Sequence, residues 1–211
     1  MMIRAARLSL LLVVLAGCTR AAATGAPAAA TLRTDADTPP MFVVVVRHAE
    51  RAPEPANDPV LSEAGIARAA ALDSALRRLP VTDVVVSQLQ RTRLTAAAFI
   101  ARTNATVHVV PIGAAGVPAH VQAVADTVRA IARTRGRGGV LVVGHSNTVT
   151  PIVAALGGGT AAPLCDSQYS QLFTLQEQAS GIVRGERSTY GAADPADPSC
   201  APSAPGMLPR P

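Results

Sequence analysis

Three valine-rich runs, each ending in residues that a core would reject, restrict this chain to few folds. Met41-Phe42-Val43-Val44-Val45-Val46 runs directly into Arg47-His48-Ala49-Glu50-Arg51. Val84-Val85-Val86 leads to Ser87-Gln88-Leu89-Gln90-Arg91, and Val140-Leu141-Val142-Val143 leads to Gly144-His145-Ser146-Asn147-Thr148. Unbroken apolar runs of this kind are strands covered on both faces, as in a parallel sheet. Ligands of such sheets collect in the crevice beyond the carboxyl ends of the strands. Arg47, His48, Arg51, Arg91 and His145 all belong to that end.

Between the runs the spacing turns helical. Ile66, Ala69, Ala70, Leu72, Leu76 and Leu79 recur at helical intervals, with Glu63 in the first turn near the positive end of the dipole. The expected order is strand 41–46, helix 62–79, strand 83–87, helix 91–102, strand 107–110, helix 118–135, strand 139–143 and helix 148–156. Gln171–Gln176 and Ile182–Arg187 would form a closing pair of strands at an edge. This alternation predicts an α/β fold, a three-layer αβα sandwich around a mainly parallel sheet. Gly157-Gly158-Gly159 lacks the Gly-Lys-Ser/Thr of a phosphate loop and reads as a helix stop.

The cluster has a chemistry. Guanidinium neighbours favour the neutral form of a histidine, and a neutral imidazole is a nucleophile with an open lone pair. Arginines stay charged and offer forked donors that match phosphate oxygens in pairs. Together they suit in-line attack of His48 on phosphorus, with charge in the transition state neutralised by the arginines.

With these segments in view, residues 41 to 190 resemble the histidine phosphatase superfamily, the phosphoglycerate mutase-like fold. Its Arg-His-Gly/Ala-Glu signature corresponds to Arg47-His48-Ala49-Glu50, its Ser-x-Leu-x-Arg-[Ala/Thr]-x-x-Thr-Ala signature to Ser87 through Ala96, and its late Gly-His to Gly144-His145. The resemblance implies that His48 is the phosphorylated nucleophile and that Arg47, Arg91 and His145 hold the phosphoryl oxygens. Arg51, Ser146 and Asn147 are further substrate-binding candidates. Arg51-Ala52-Pro53 has the Arg-x-Pro form of the acid-phosphatase and phytase branch, but the chain is too short for that branch's helical domain, so the compact branch matches better.

One departure bears on the substrate. Relatives that cleave alkyl phosphates supply a carboxylic acid to the leaving oxygen, after the late histidine or beyond the second arginine motif. Here Ser146 follows His145, and Val107 to Val124 contains no carboxylate. Glu50, Asp58, Glu63 and Asp126 are the nearest alternatives, and His120 is a further proton donor. His108 and, in the plainer reading, His120 are structural, and Arg93, Arg129, Arg133, Arg135 and Arg137 form a solvated face. Substrates with leaving groups that depart unaided are expected: phosphohistidine, acyl or aryl phosphates, or a phosphorylated small molecule bearing an anhydride. The alternatives are a phosphate-ligand-binding lipoprotein with little turnover and a mutase-like phosphotransferase.

The amino terminus has another purpose. Arg4 and Arg7 precede the apolar run Leu8–Leu15, followed by Ala16-Gly17-Cys18. That is the pattern of a signal peptide over 1–17, too short to span a bilayer. Leu15-Ala16-Gly17-Cys18 also resembles a bacterial lipobox, which implies lipidation of Cys18 and anchoring at the outer membrane facing the periplasm. Residues 18–40, rich in Ala, Thr and Pro, read as a flexible tether, residues 41–190 as one catalytic domain, and 191–211 as a Pro-rich tail that wraps the surface or is disordered. With Cys18 lipidated, Cys165 and Cys200 remain as a disulfide pair suited to an oxidising envelope. The three cysteines lack metal-ligand spacing, so neither metal nor cofactor is implied. The net charge of +5 comes from arginine alone, the chain having no lysine, and aromatic residues make up only 2%. With so little to stack on bases, nucleic acid is not an expected partner. The sequence leaves the oligomeric state open.

Overall fold

The computed structural model describes residues 41–177, 183–200 and 205–209. The expected signal peptide, Cys18, the tether and Ile182 lie outside the described residues. In chain order the elements are β1 (Phe42–Arg47), α1 (Glu63–Ala75), β2 (Val81–Val86), α2 (Gln90–Thr103), β3 (Thr106–Val109), α3 (Gly116–Arg135), β4 (Gly139–Gly144), α4 (Val149–Ala155), β5 (Gln171–Glu177), β6 (Val183–Thr189) and β7 (Gly206–Met207). They build one sheet in the order β3-β2-β4-β1-β5-β6-β7. β1 to β4 pair in parallel and β5 to β7 continue the sheet antiparallel. The sheet is therefore mixed. The expected closing strands 171–176 and 182–187 are an antiparallel extension beginning beside the central β1, and β7 takes the outer edge.

Side-chain alternation along the strands assigns the two faces. Val43, Val45, Val85, Val140 and Val142 pack with Val121, Val124, Val128 and Ile131 of α3 and Val149, Ile152 and Val153 of α4. Phe42, Val44, Val46, Val84, Val86, Leu141 and Val143 pack on the other face with Leu72 and Leu76 of the α1 segment and Ala96 and Phe99 of α2. The connections from β1 to β2 and β2 to β3 step one way along the sheet, and those leaving β3 and β4 step the other way. Right-handed crossovers then place α1 and α2 on one face and α3 on the opposite one. The chains leaving adjacent β1 and β4 diverge to opposite faces, so a crevice opens between their carboxyl ends. His48 and His145 are the residues that follow those two strands.

The first helix differs from its sequence reading. Ser62 caps it, accepting from Gly65 N at 3.2 Å, and it ends at Ala75. Pro80 disfavours helical backbone at Leu79, and the intervening residues wind in tighter turns through Arg77 N to Ser74 O and Leu79 N to Leu76 O. Ile66 and Leu79 are exposed, and the buried face is Gly65, Arg68, Ala69, Leu72 and Asp73. Gly65 has a steric reason: a Cβ there would collide with the carbonyl oxygen of Glu50, two residues after His48. Arg68 is buried because it has partners. It meets Glu50 at 2.7 Å and donates to the Tyr190 and Ala192 carbonyls. Arg135 is exposed, as expected of a solvated face, and also reaches buried Asp83 together with His108, at 2.9 and 2.8 Å.

Residues 191–200 are covalently tied to the loop before β5, Cys165 and Cys200 forming a disulfide across 35 residues. Closing a loop of that length removes denatured-state entropy worth roughly 4 kcal/mol. Cys200→Ser is expected to destabilise the fold by roughly 2–4 kcal/mol. Chemical denaturation of the full chain measures it. No helix among the described residues is long and apolar enough to cross a membrane.

Candidate active site

His48 is 4% exposed and fixed at both ends. Its backbone N donates to Gly144 O at 2.9 Å, which joins the ends of β1 and β4. Its ring Nδ1 lies 2.8 Å from the Ala49 carbonyl. A carbonyl only accepts, so Nδ1 carries the hydrogen and Nε2 of the neutral ring keeps its lone pair. The backbone after His48 is held in turn, Ala49 N donating to Thr95 Oγ1 at 2.9 Å while that hydroxyl donates to Arg91 O at 2.7 Å. Burial lowers the His48 pKa to about 3, with His145, Arg47 and Arg91 acting in the same direction. The ring is an uncharged base at neutral pH.

Arg47 is also buried, at 3% exposure. One terminal nitrogen, NH1, donates to three carbonyls, Cys165 at 2.8 Å, Asp166 at 3.0 Å and Gln168 at 3.1 Å. The guanidinium stacks on the Tyr169 ring with Cζ 3.9 Å from the centroid, and NH2 lies 3.5 Å from Asp166 Oδ1. Arg91 opens α2 and has Asp58 at 3.9 Å. In both arginines Nε is buried with no acceptor among the described residues. Burial works against both charges, and a buried unsatisfied donor costs roughly 1–3 kcal/mol. Two such donors beside a lone-pair imidazole form an anion-binding arrangement.

His145 completes the cluster. Its ring centroid is 5.3 Å from that of His48, and Nε2 pairs with Ser87 Oγ at 3.0 Å. Thr148 Oγ1 accepts from His145 N at 2.8 Å, fixing the turn into α4. Burial lowers the His145 pKa to about 4, with Arg91, His120 and Arg47 adding to the effect. His120 is buried in the first turns of α3, with Nδ1–H directed to Pro111 O at 3.3 Å, and it is close enough to act on His145.

His48, Arg47, Arg91 and His145 are thus brought together. Arg51 is exposed, bridges Leu61 through its backbone, and reaches Arg47 and Arg91 only electrostatically. Ser146 is half-buried and Asn147 exposed in the turn after His145. Of the alternative acids, Glu50 is excluded by its ion pair with Arg68, Asp126 pairs with Arg129 on the exposed face of α3, and Glu63 is exposed on α1. Asp58 caps α2 by accepting from Gln90 N at 2.9 Å. Sequence reasoning missed Tyr169, whose ring centroid stands 6.2 Å from that of His48, and Asp166 and Asp194 around it. The loop 165–170 has no periodicity to mark it. The one available signal was a tyrosine in a chain with only two.

Both imidazoles carry a pH prediction. Their folded pKa values lie below the unfolded value of about 6.5, so between pH 6.5 and about 4 the unfolded chain binds more protons. Stability therefore falls as pH falls through that window. A thermal midpoint clearly lower at pH 5 than at pH 7.5 is expected, and an unchanged midpoint would show that the rings are not buried as neutral species.

Comparison with known proteins agrees with this geometry. No curated protein matches the sequence. The fold is similar to that of the protein histidine phosphatase SixA complexed with tungstate, at 21% identity and TM-score 0.54, covering 72% of this chain and 95% of that one. It is also similar to a mycobacterial glucosyl-3-phosphoglycerate phosphatase, at 18% identity and TM-score 0.53, covering 72% and 99%. The alpha-ribazole phosphatase of Shigella flexneri is similar at 17% identity and TM-score 0.51, covering 74% and 96%. At these identities the structural likeness shows the fold alone. The family model of the histidine phosphatase superfamily (branch 1) matches residues 43–112, the segment that carries Arg47, His48 and Arg91. Over residues 43–112 the chain is therefore similar to the histidine phosphatase superfamily, and the fold it shares with these solved structures accords with that likeness.

Proposed function

We propose that this protein is a phosphohydrolase in which His48 takes a phosphoryl group from its substrate and yields it to water. The observation that carries the proposal is the His48 tautomer, with Nδ1–H spent on Ala49 O and the Nε2 lone pair left for phosphorus. In the first step an Nε2–P bond forms as the bond from phosphorus to the leaving group breaks. In the second, water displaces the imidazole and inorganic phosphate departs. Arg47 and Arg91 would hold the non-bridging oxygens through their Nε–H groups, and His145, paired to Ser87 and beside His48, would border the same group.

The carboxylates support one substrate class. Glu50 and Asp126 are committed elsewhere, and Asp58 and Asp166 each lie beside an arginine. General acid assistance is worth about a hundredfold to ten-thousandfold, so a site without it favours phosphohistidine, acyl phosphates or aryl phosphates. The likeness to a protein histidine phosphatase fits this reading. Release of phosphate from an activated aryl phosphate tests it, and vanadate binding without turnover would reduce the protein to a phosphate-ligand binder.

We also propose that Cys18 is lipidated and holds the enzyme at the envelope membrane. The Cys165–Cys200 disulfide supports an oxidising compartment. Cys18→Ser is expected to move the protein from the membrane fraction to the soluble fraction, because paired acyl chains supply the stable anchoring. A wild-type chain found soluble and cleaved elsewhere would refute this.

A further inference from the structure

The segment after β6 does more than close the sheet. Asp194 sends both carboxylate oxygens into the loop that carries Tyr169. Oδ1 accepts from Tyr169 N at 2.8 Å and Ser170 N at 2.7 Å, and Oδ2 accepts from Ser170 Oγ at 2.7 Å and Gln171 Nε2 at 3.2 Å. Six residues later Cys200 bonds to Cys165, the residue whose carbonyl receives Arg47 NH1 at 2.8 Å. Ser167 Oγ donates to Asp197 at 3.0 Å between these two clamps. Every link in this set runs from the strap 194–200 to the loop 165–171, and the loop in turn grips Arg47 by three carbonyls and the Tyr169 ring.

We propose that Asp194 is a positioning residue of the phosphate site. It holds Tyr169 against the face of the Arg47 guanidinium, so that NH1 is spent on the loop carbonyls and the Nε edge is presented beside His48. The inference rests on the phosphohydrolase reading for its purpose and on geometry alone for the link itself. A guanidinium on a flexible stem has many rotamers, and an anion can use it only in the few that aim Nε–H into the crevice. Fixing the platform in advance removes that ordering cost from ligand binding. Cys165–Cys200 fixes the same platform from its other end.

The test uses the full chain. Tyr190→Phe leaves Tyr169 as the sole tyrosine in a chain without tryptophan, so the near-ultraviolet circular dichroism of tyrosine reports its packing on Arg47. In that background Asp194→Ala should flatten the Tyr169 band and weaken vanadate binding about tenfold, the fold-change of one charge-assisted contact loosened. The far-ultraviolet spectrum should be retained. Asp194→Asn, which keeps the acceptor for the two backbone N–H groups, should fall between. Asp194→Ala added to Tyr169→Ala should weaken vanadate binding no further, because the route through Tyr169 is already cut. An unchanged Tyr169 band and vanadate constant in both Asp194 variants, even with a lowered melting temperature, would overturn the proposal, as would fully additive losses in the double variant. Should the wild-type protein bind no vanadate, the phosphohydrolase reading falls, and the Tyr169 band still decides whether Asp194 holds the platform.

Discussion

His48→Ala is expected to lower turnover of an activated aryl phosphate by on the order of a thousandfold or more, while vanadate still binds. The separation follows from the way the site is held. Arg47 is positioned by the carbonyls of Cys165, Asp166 and Gln168 and by Tyr169, and Arg91 by the start of α2, so neither depends on the imidazole. Removing the ring deletes the atom that bonds to phosphorus and leaves the oxygen donors in place. Steady-state rates together with vanadate inhibition or direct binding measure both halves. Retained activity would end the nucleophile assignment, and loss of vanadate binding together with activity would make His48 part of the anion cradle.

The second large effect concerns the leaving group. Phosphorylation of His48 should slow steeply as the leaving-group pKa rises from aryl to alkyl phosphates, by about a hundredfold to ten-thousandfold beyond what an enzyme with a general acid would show. Ser146 stands where relatives place a carboxyl, and it lies half-buried in the turn between His145 and α4. Ser146→Asp should therefore improve alkyl phosphates selectively, provided that the turn fixed by His145 N and Thr148 Oγ1 aims the new carboxyl at the leaving oxygen. Single-turnover rates over a series of leaving groups decide it. A flat dependence would reveal an acid already at work, and His120, buried and close to His145, would be the first to replace.

Much of this arrangement was legible in the residues. Val43 to Val46 and Val140 to Val143 are apolar on both faces because they are the central strands β1 and β4, and the polar residues that end them had to face a crevice. The three motifs gave Arg47, His48, Arg91 and His145 because each ends or closely follows such a strand. What periodicity could not give was long-range pairing. Arg68 breaks the apolar face of α1, and only its distant partners Glu50, Tyr190 and Ala192 explain its burial. Ile66 is inward by spacing, yet it is Gly65 that packs against the Glu50 carbonyl, and Ile66 is exposed at 62%. Asp83 interrupts β2 without breaking it, since His108 and Arg135 come from β3 and α3 to meet it. The loop 165–171 is shaped by Asp194 and Cys200, residues 23 or more positions later, and nothing local in Cys165-Asp166-Ser167-Gln168-Tyr169 marks it as a wall of the site.

The measurement closest to the central claim is trapping of the covalent intermediate. Wild-type protein mixed with a labelled activated phosphate and quenched under conditions that preserve phosphoramidates should carry label on a histidine, and peptide mapping should place it on His48. Because Nδ1–H is committed to the Ala49 carbonyl, the phosphoryl group should sit on Nε2, and His48→Ala should carry none. Label on Nδ1, on another residue, or on no residue while phosphate is still released would contradict the account.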